Sequence, residues 1–145
     1  MATNDTTEAI EARRAARREA AAAARAEQER VDLHAIDALE EKGAETLHTM
    51  TAGGYKVGVP VRIAFRPPTA PQYKRYKDQV NRAADKKDPG ARIAAQELLA
   101  ESCWVYPEDA DARAAVRDAF PGTLISLAIE VVKFVEMQSE EEKKG

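Results

Sequence analysis

The clearest alternation of hydrophobic and polar positions lies in the middle of the chain, at residues 61–65. Val61, Ile63 and Phe65 alternate with Arg62 and a small residue, which is the period-2 pattern of a half-buried β-strand. Two consecutive prolines follow shortly after, and they end the strand because proline has no N–H group for a β-ladder. The pattern therefore predicts a short strand with an abrupt end.

A helix is predicted to begin directly after these prolines, at Thr69. The Thr69 hydroxyl can accept a hydrogen bond from the first turn, and Gln72 can reach back to the capping residue, as in a capping box. Pro71 suits the first turn, where its missing N–H would have no partner. The helix is expected to extend to about Lys87. Its apolar positions share one face: Tyr73, Tyr76, Val80, Ala83 and Ala84.

Residues 1–38 are predicted to form a solvated, helical extension. They contain no Gly or Pro and are rich in Ala, Arg and Glu, which favour helices. A heptad repeat counted from Ile10 lacks a second apolar stripe, so no coiled coil is predicted. The extension is expected to continue into a narrow apolar face that packs on the rest of the chain and to end at Gly43. That face consists of Leu33, Ile36 and Leu39.

A small antiparallel sheet is predicted to follow. Extended segments at residues 46–51 and 55–57 flank Gly53 and Gly54, which are typical of a hairpin turn. Together with residues 61–65 they would form two or three short strands. Helices must cover one face of this sheet, because an isolated hairpin is only marginally stable in water.

Three further helices are predicted after a turn at residues 88–90. The first ends before Pro107 and carries an apolar stripe of Ala91, Ala94, Ala95, Leu98, Leu99, Ser102 and Cys103. The second is short and begins at Asp109. The third begins near Thr123, and its apolar arc is too broad for a helix with one solvated side. This arc is either central in the core or partly reserved for another chain, and its candidate docking residues are Leu124, Leu127, Val131, Phe134 and Val135.

These elements predict a mostly helical α+β protein with a long N-terminal helix, a small antiparallel β-hairpin or sheet, and a bundle of about four helices. Residues 1–38 are assigned to the extension, residues 39–138 to a compact α+β domain, and residues 139–145 to a disordered, charged tail. A homo-oligomer formed through the N-terminal helix remains open at this point.

Charge is distributed unevenly along the 145 residues. The net charge is −3 overall, but residues 43–100 contain ten basic and five acidic residues and residues 101–145 contain five and ten. The basic middle includes a set of side chains that would be the face of a nucleic-acid-binding helix: Lys74, Arg75, Lys77, Arg82, Lys86 and Lys87. A solvated basic face beside core tyrosines is the favoured interpretation, so nucleic acid is the less favoured partner.

No catalytic or metal-binding pattern accompanies these elements. The two histidines, His34 and His48, have no metal-spaced partner, and a zinc site needs about four ligands. Cys103 is the single cysteine, so no intramolecular disulfide forms and a reducing compartment is expected. No apolar run approaches the length of a membrane span. We therefore expect a cytoplasmic protein without membrane association, enzymatic activity or cofactor.

Two short motifs, in this order, resemble the small tail assembly chaperones of tailed bacteriophages and related phage-tail-like elements. One motif, R-P-P-T, closes the strand; the other is Cys-Trp at a helix end before an acidic turn at Pro107 and Glu108. The matching residues are Arg66, Pro67, Pro68, Thr69, Cys103 and Trp104.

The resemblance covers about residues 39–138, and the long N-terminal helix departs from the smaller members. It implies a non-enzymatic protein of virion morphogenesis in the cytoplasm of the bacterial host cell. Such a chaperone would bind the tape-measure protein and help to recruit tail-tube subunits, through helix-in-groove contacts.

Overall fold

The computed structural model describes residues 6–53 and 59–144, and it confirms the mostly helical α+β architecture. A long N-terminal helix leads into a three-stranded antiparallel sheet, and four helices complete the fold. The elements in chain order are α1 (Thr7–Gly43), β1 (His48–Ala52), β2 (Val61–Phe65), α2 (Ala70–Asp85), α3 (Pro89–Cys103), β3 (Trp104–Tyr106), α4 (Ala110–Ala119) and α5 (Thr123–Lys144).

The sheet has the order β1-β2-β3, with β2 in the centre. β1 pairs with β2 from His48↔Phe65 to Ala52↔Val61, and β3 pairs with the end of β2 through an irregular register. The predicted strand at residues 55–57 lies outside the described residues. β3 is a strand that the sequence analysis missed, because its three residues were treated as the end of a helix.

Strand β2 is confirmed, but it is covered on both faces rather than one. Ile63 and Phe65 belong to the main core, while Ala64 packs with Ile36 and Leu47 on the opposite face. Both Ile63 and Ala64 have a relative exposure of 0%. The half-buried strand predicted from alternation was therefore wrong at Ala64, since α1 covers the face that was expected to be solvated.

The main core lies between the sheet and helices α3, α4 and α5. Its most deeply buried large side chains are Ile63 from β2, Leu127 and Val131 from α5, and Cys103 from α3. α2 does not reach the centre of this core; it packs on α3. α2 is therefore an outer layer.

A buried carboxylate joins α1 to the sheet. Asp32 has a relative exposure of 1%. Its Oδ2 accepts a hydrogen bond from the backbone N–H of Arg62 at 2.8 Å, and its Oδ1 accepts from the Tyr106 hydroxyl at 2.7 Å and from Gln28 Nε2 at 2.9 Å. These three donors, from β2, β3 and α1 itself, replace the water that a buried carboxylate loses.

The boundaries of the terminal segments differ from the predicted ones. α1 is continuous through residue 38, and its docked part extends back to Asp32, which is buried together with Ile36 inside the segment assigned to the extension. Ile36 and Leu39 pack on the sheet as predicted, whereas Leu33 is 44% exposed. At the other end, α5 is helical through residue 144 where a disordered tail was predicted from residue 139.

Local capping signals specify most of the helix starts. Thr69 forms the predicted capping box, in which its hydroxyl accepts from Gln72 N–H and the Gln72 side chain accepts from Thr69 N–H. Asp109 caps α4 as expected. Asp88, predicted to lie within a turn, is the N-cap of α3, and the preceding Lys87 supplies the turn with a φ of 53°. Thr123 does not act as a cap, because its hydroxyl donates to the Phe120 carbonyl at 2.6 Å.

Gly53 ends β1 in a conformation that requires glycine. Its φ is +75°, in the left-handed region, and a Cβ atom at this position would overlap the ring of Phe120. The glycine therefore both turns the chain and admits an aromatic ring from the end of α4 against the sheet. The residues that follow, from Gly54 to Gly58, lie outside the described part of the chain.

We expect Asp32→Asn to lower the free energy of unfolding by about 1–3 kcal/mol, because the amide has one acceptor oxygen for the three donors that face it. Urea unfolding followed by circular dichroism measures this loss. Asp37→Asn is the matched control, since Asp37 lies on the same helix but is exposed. An Asp32→Asn midpoint equal to that of the control would contradict the structural role of the carboxylate.

The hydrogen bond between Tyr106 and Asp32 also predicts that the free energy of unfolding depends on pH. The pKa of Tyr106 is raised above its ordinary value, mainly by burial and secondarily by the hydrogen bond to the Asp32 carboxylate. The unfolded chain then loses the phenolic proton first, so this contribution to stability is present below about pH 10 and falls as the pH rises further. The stability difference between the wild type and Tyr106→Phe should shrink above about pH 10 in urea titrations. A difference that stays constant into strongly alkaline solution would contradict this linkage.

Candidate docking groove between helices α2 and α3

The face of α5 that was predicted to bind a partner is largely used by the protein itself. Leu127 and Val131 have a relative exposure of 0% and belong to the main core. Leu124, Phe134 and Val135 are half-buried, and the centroids of the Phe134 and His48 rings lie 3.9 Å apart. This corrects the predicted docking face: α5 packs between α3 and the sheet, so the middle of its apolar arc is internal.

The R-P-P-T motif occupies a structural corner. The Arg66 guanidinium forms an ion pair with Glu45, and its backbone N–H donates to the Cys103 carbonyl at 2.9 Å. Pro67 and Pro68 are half-buried, and Thr69 caps α2. These residues join the end of β2 to the start of α2, and they leave no side chain arranged for chemistry.

The Cys-Trp motif lies at the junction of α3 and β3. Cys103 is 1% exposed, and burial raises the pKa of its thiol. Trp104 is also buried, and its Nε1 donates to the Tyr106 carbonyl at 2.6 Å. The Arg113 guanidinium lies 5.5 Å from the Trp104 ring and donates to the carbonyls of Val105 and Pro107. This motif thus anchors β3 and α4, and Cys103 has the environment of a packing residue.

The six basic residues of the predicted nucleic-acid face do not form one surface. Arg75, Arg82 and Lys86 line one side of the α2–α3 pair. Lys87 lines a depression on a different side, beside Val80, and Lys77 lies 5.7 Å from the centroid of the Tyr73 ring. The remaining residue, Lys74, is exposed and lines neither concavity.

A concave surface, which we call the α2/α3 groove, has Arg75, Arg82 and Lys86 on its rim. It has two adjoining sections of about 350 and 120 Å³ that share Gln79, Ala95 and Leu98 in their linings. The floor is formed by α3, and the wall is formed by α2, which contributes Tyr76 and Ala83 as well as polar side chains. The floor residues are Ala91, Ala94, Ala95 and Leu98, and the rim residues are Arg75, Arg82 and Lys86.

The groove exists because α2 covers only part of the apolar stripe of α3. Ala95, Leu99 and Cys103 are buried as predicted, but Ala91, Ala94 and Ser102 are exposed and Leu98 is 48% exposed. The predicted stripe of α3 is therefore covered along only part of its width. The signal for this lies on α2, where most of the positions that line the groove are polar and cover an apolar stripe poorly; these are Gln72, Arg75, Gln79, Arg82 and Lys86.

The rim charges have no partner within the described residues. Arg75, Arg82 and Lys86 take part in none of the ion pairs of that part of the chain. The one carboxylate in the lining, Asp88, is occupied as the N-cap of α3, where its Oδ1 accepts from the Ala91 N–H at 3.1 Å. The groove therefore presents an apolar floor beside three positive charges and one carboxylate, a net positive charge.

Another concavity, of about 200 Å³, lies between α1 and the sheet, and it lacks the apolar floor and unpaired rim of the α2/α3 groove. Its lining includes Arg25, Glu29, Asp32 and Arg62. Arg62 forms an ion pair with Glu29 and donates its backbone N–H to Asp32, so these groups serve the fold. Across residues 6–53 and 59–144, no cluster of three or more His, Cys, Asp or Glu side chains could hold a metal ion.

Comparison with known proteins gives no relative: the chain matches no protein-family model, and no curated protein or solved structure is significantly similar to it. Among the helices of the described residues, none is long and apolar enough to cross a membrane. The groove geometry and the sequence motifs are therefore the basis for a functional proposal.

We expect the Cys103 thiol to react with a disulfide reagent at least about a hundredfold more slowly in the native protein than in urea, because it is buried and its pKa is raised. Absorbance of the released thiol measures the rate, and the urea-unfolded chain is the control. Rapid, stoichiometric reaction of the native protein would contradict the packing role and indicate an accessible, reactive thiol.

Proposed function

We propose that this protein is a non-enzymatic tail assembly chaperone of a tailed bacteriophage or related phage-tail-like element, acting in the host cytoplasm. Its partner would be the tape-measure protein, with tail-tube subunits recruited to the same complex. Two motifs support the proposal from the sequence, R-P-P-T at residues 66–69 and Cys-Trp at residues 103–104. The structural observation that carries it is the exposed α2/α3 groove.

The groove has the form that helix-in-groove recognition requires. Between Gln72 and Lys86 it follows α2 for about 21 Å, which is the length of about four helical turns. Its alanine floor allows a second helix to approach closely, since the distance between packed helices depends on the side chains at the contact. An extended helical partner such as a tape-measure protein could lay one apolar stripe on this floor.

Leu98 is the residue that a docked helix would bury most. It projects from the floor with 48% of its surface exposed. Burying a leucine side chain fully contributes about 1.5–3 kcal/mol, so the remaining exposed half is a substantial fraction of a specific contact. The flanking alanines let a helix approach closely but bury little apolar area themselves. The contact would therefore depend strongly on the Leu98 side chain.

We expect Leu98→Asp to reduce capture of the tape-measure protein encoded by the same phage by about tenfold or more, because it places a charge on the apolar floor. Co-expression followed by affinity purification on the tagged chaperone measures the retained fraction. Ile93→Asp is the matched control, since Ile93 lies on the same helix, is 47% exposed, and is absent from the groove lining.

The wild type and Ile93→Asp should capture equal amounts. Failure of the wild-type protein to capture the tape-measure protein would contradict the proposed function itself. Equal capture by Leu98→Asp, with a circular dichroism spectrum unchanged from the wild type, would instead show that the partner binds elsewhere on the molecule.

A further inference from the structure

The three rim residues of the α2/α3 groove are arranged along one side of α2. Arg75, Arg82 and Lys86 follow the spacing i, i+7 and i+11, which returns each side chain to nearly the same direction on a helix. All three are exposed, and all three line the concavity. Positive charge therefore stands along one wall, about 10 Å and then about 6 Å apart measured along the helix axis.

The α3 side of the groove carries no positive charge. Its lining residues are alanines, leucines and, at the far end, Ser102, with the carboxylate of the N-cap Asp88 at the start of the helix. The carboxylates of α2 at Asp78 and Asp85 are exposed and are not part of the lining. The groove is therefore electrostatically one-sided: the basic side chains all lie on α2, and the α3 floor is apolar apart from Asp88 and Ser102.

From this asymmetry we propose that the groove selects an amphipathic α-helix with acidic residues along one flank of its apolar face. The inference deepens the proposed function and rests on it for the identity of the biological partner. The acidic flank lies against α2. Matching the rim requires carboxylates at i, i+7 and i+11 in a parallel helix, or at i, i+4 and i+11 in an antiparallel one.

Another copy of this chain is the competing occupant. The end of α5 is acidic and exposes Met137, whose relative exposure is 63%. Its last turns, however, mix glutamates with Lys143, so they match a basic wall less well than a helix whose flank is acidic throughout. Occupation by a second copy would make the mass in solution depend on concentration and on Leu98.

The test uses the full-length protein and three labelled peptides of about 18 residues, long enough to span the groove as a helix. The peptides share one Ala/Leu face and carry Glu, Gln or Lys along the same flank. Fluorescence anisotropy gives the dissociation constants. We expect the Glu peptide to bind at least about tenfold more tightly than the Lys peptide at low salt, and this preference to shrink at high ionic strength.

Two double variants isolate the rim. Arg82→Glu with Lys86→Glu should reverse the order of the Glu and Lys peptides. Lys74→Glu with Lys77→Glu changes the net charge by the same amount on residues absent from the groove lining, and it should preserve the order. Leu98→Asp should abolish binding of all three peptides, whereas Ile93→Asp should not. Circular dichroism of each variant confirms that it is folded.

Several results would overturn the inference. These are binding that ignores flank charge, an equal effect of the two double variants, displacement of the Glu peptide by a DNA duplex, and a concentration-dependent dimer that Leu98→Asp dissociates. These outcomes are separable from those of the proposed function. Selective binding of the Glu peptide without capture of the tape-measure protein would sustain the groove inference alone, and capture without charge selectivity would sustain the chaperone proposal alone.

Discussion

The burial of one carboxylate constrains the whole arrangement. Asp32 gives up water and receives hydrogen bonds from Arg62, Tyr106 and Gln28, and an incompletely paired carboxylate in this position would cost several kcal/mol. The apolar contacts of α1 alone could tolerate sliding, because they are few: Ile36 is its one buried hydrophobic residue. The carboxylate disfavours other registers of α1, since any shift along the sheet separates it from its donors.

Fixing α1 on one face of the sheet determines what the other elements must do. β2 becomes a central strand with both faces covered, and α3 and α5 then pack on the face that bears Ile63. Leu127 and Val131 of α5 are consequently buried in the core. α2, held at its start by the Thr69 capping box, packs on the outside of α3 and leaves part of that stripe open. The groove is thus a consequence of layering, and not a separate element.

Features with local causes could be predicted from the sequence. The strand at residues 61–65, the Thr69 cap and the helicity of α1 each depend on neighbours within a few positions. Asp32 could not be identified, because its donors at Arg62 and Tyr106 are 30 and 74 residues away and its own surroundings resemble any charged helix. β3 was missed because its pairing with β2 is non-local. The exposure of Leu98 could not be predicted, because a stripe of spaced apolar residues on one helix does not reveal how much of it the neighbouring helix covers.

The basic rim also opposes the pairing of two copies of the protein through the open apolar floor. A symmetric dimer closing two grooves against each other would bring Arg75, Arg82 and Lys86 towards the same residues of the second copy. Like charges placed together in this way oppose association, while an acidic flank on another helix relieves the same repulsion. One set of side chains can therefore disfavour self-association and favour a partner of opposite charge, and this requires the rim to remain unpaired within the fold, as it is among the described residues.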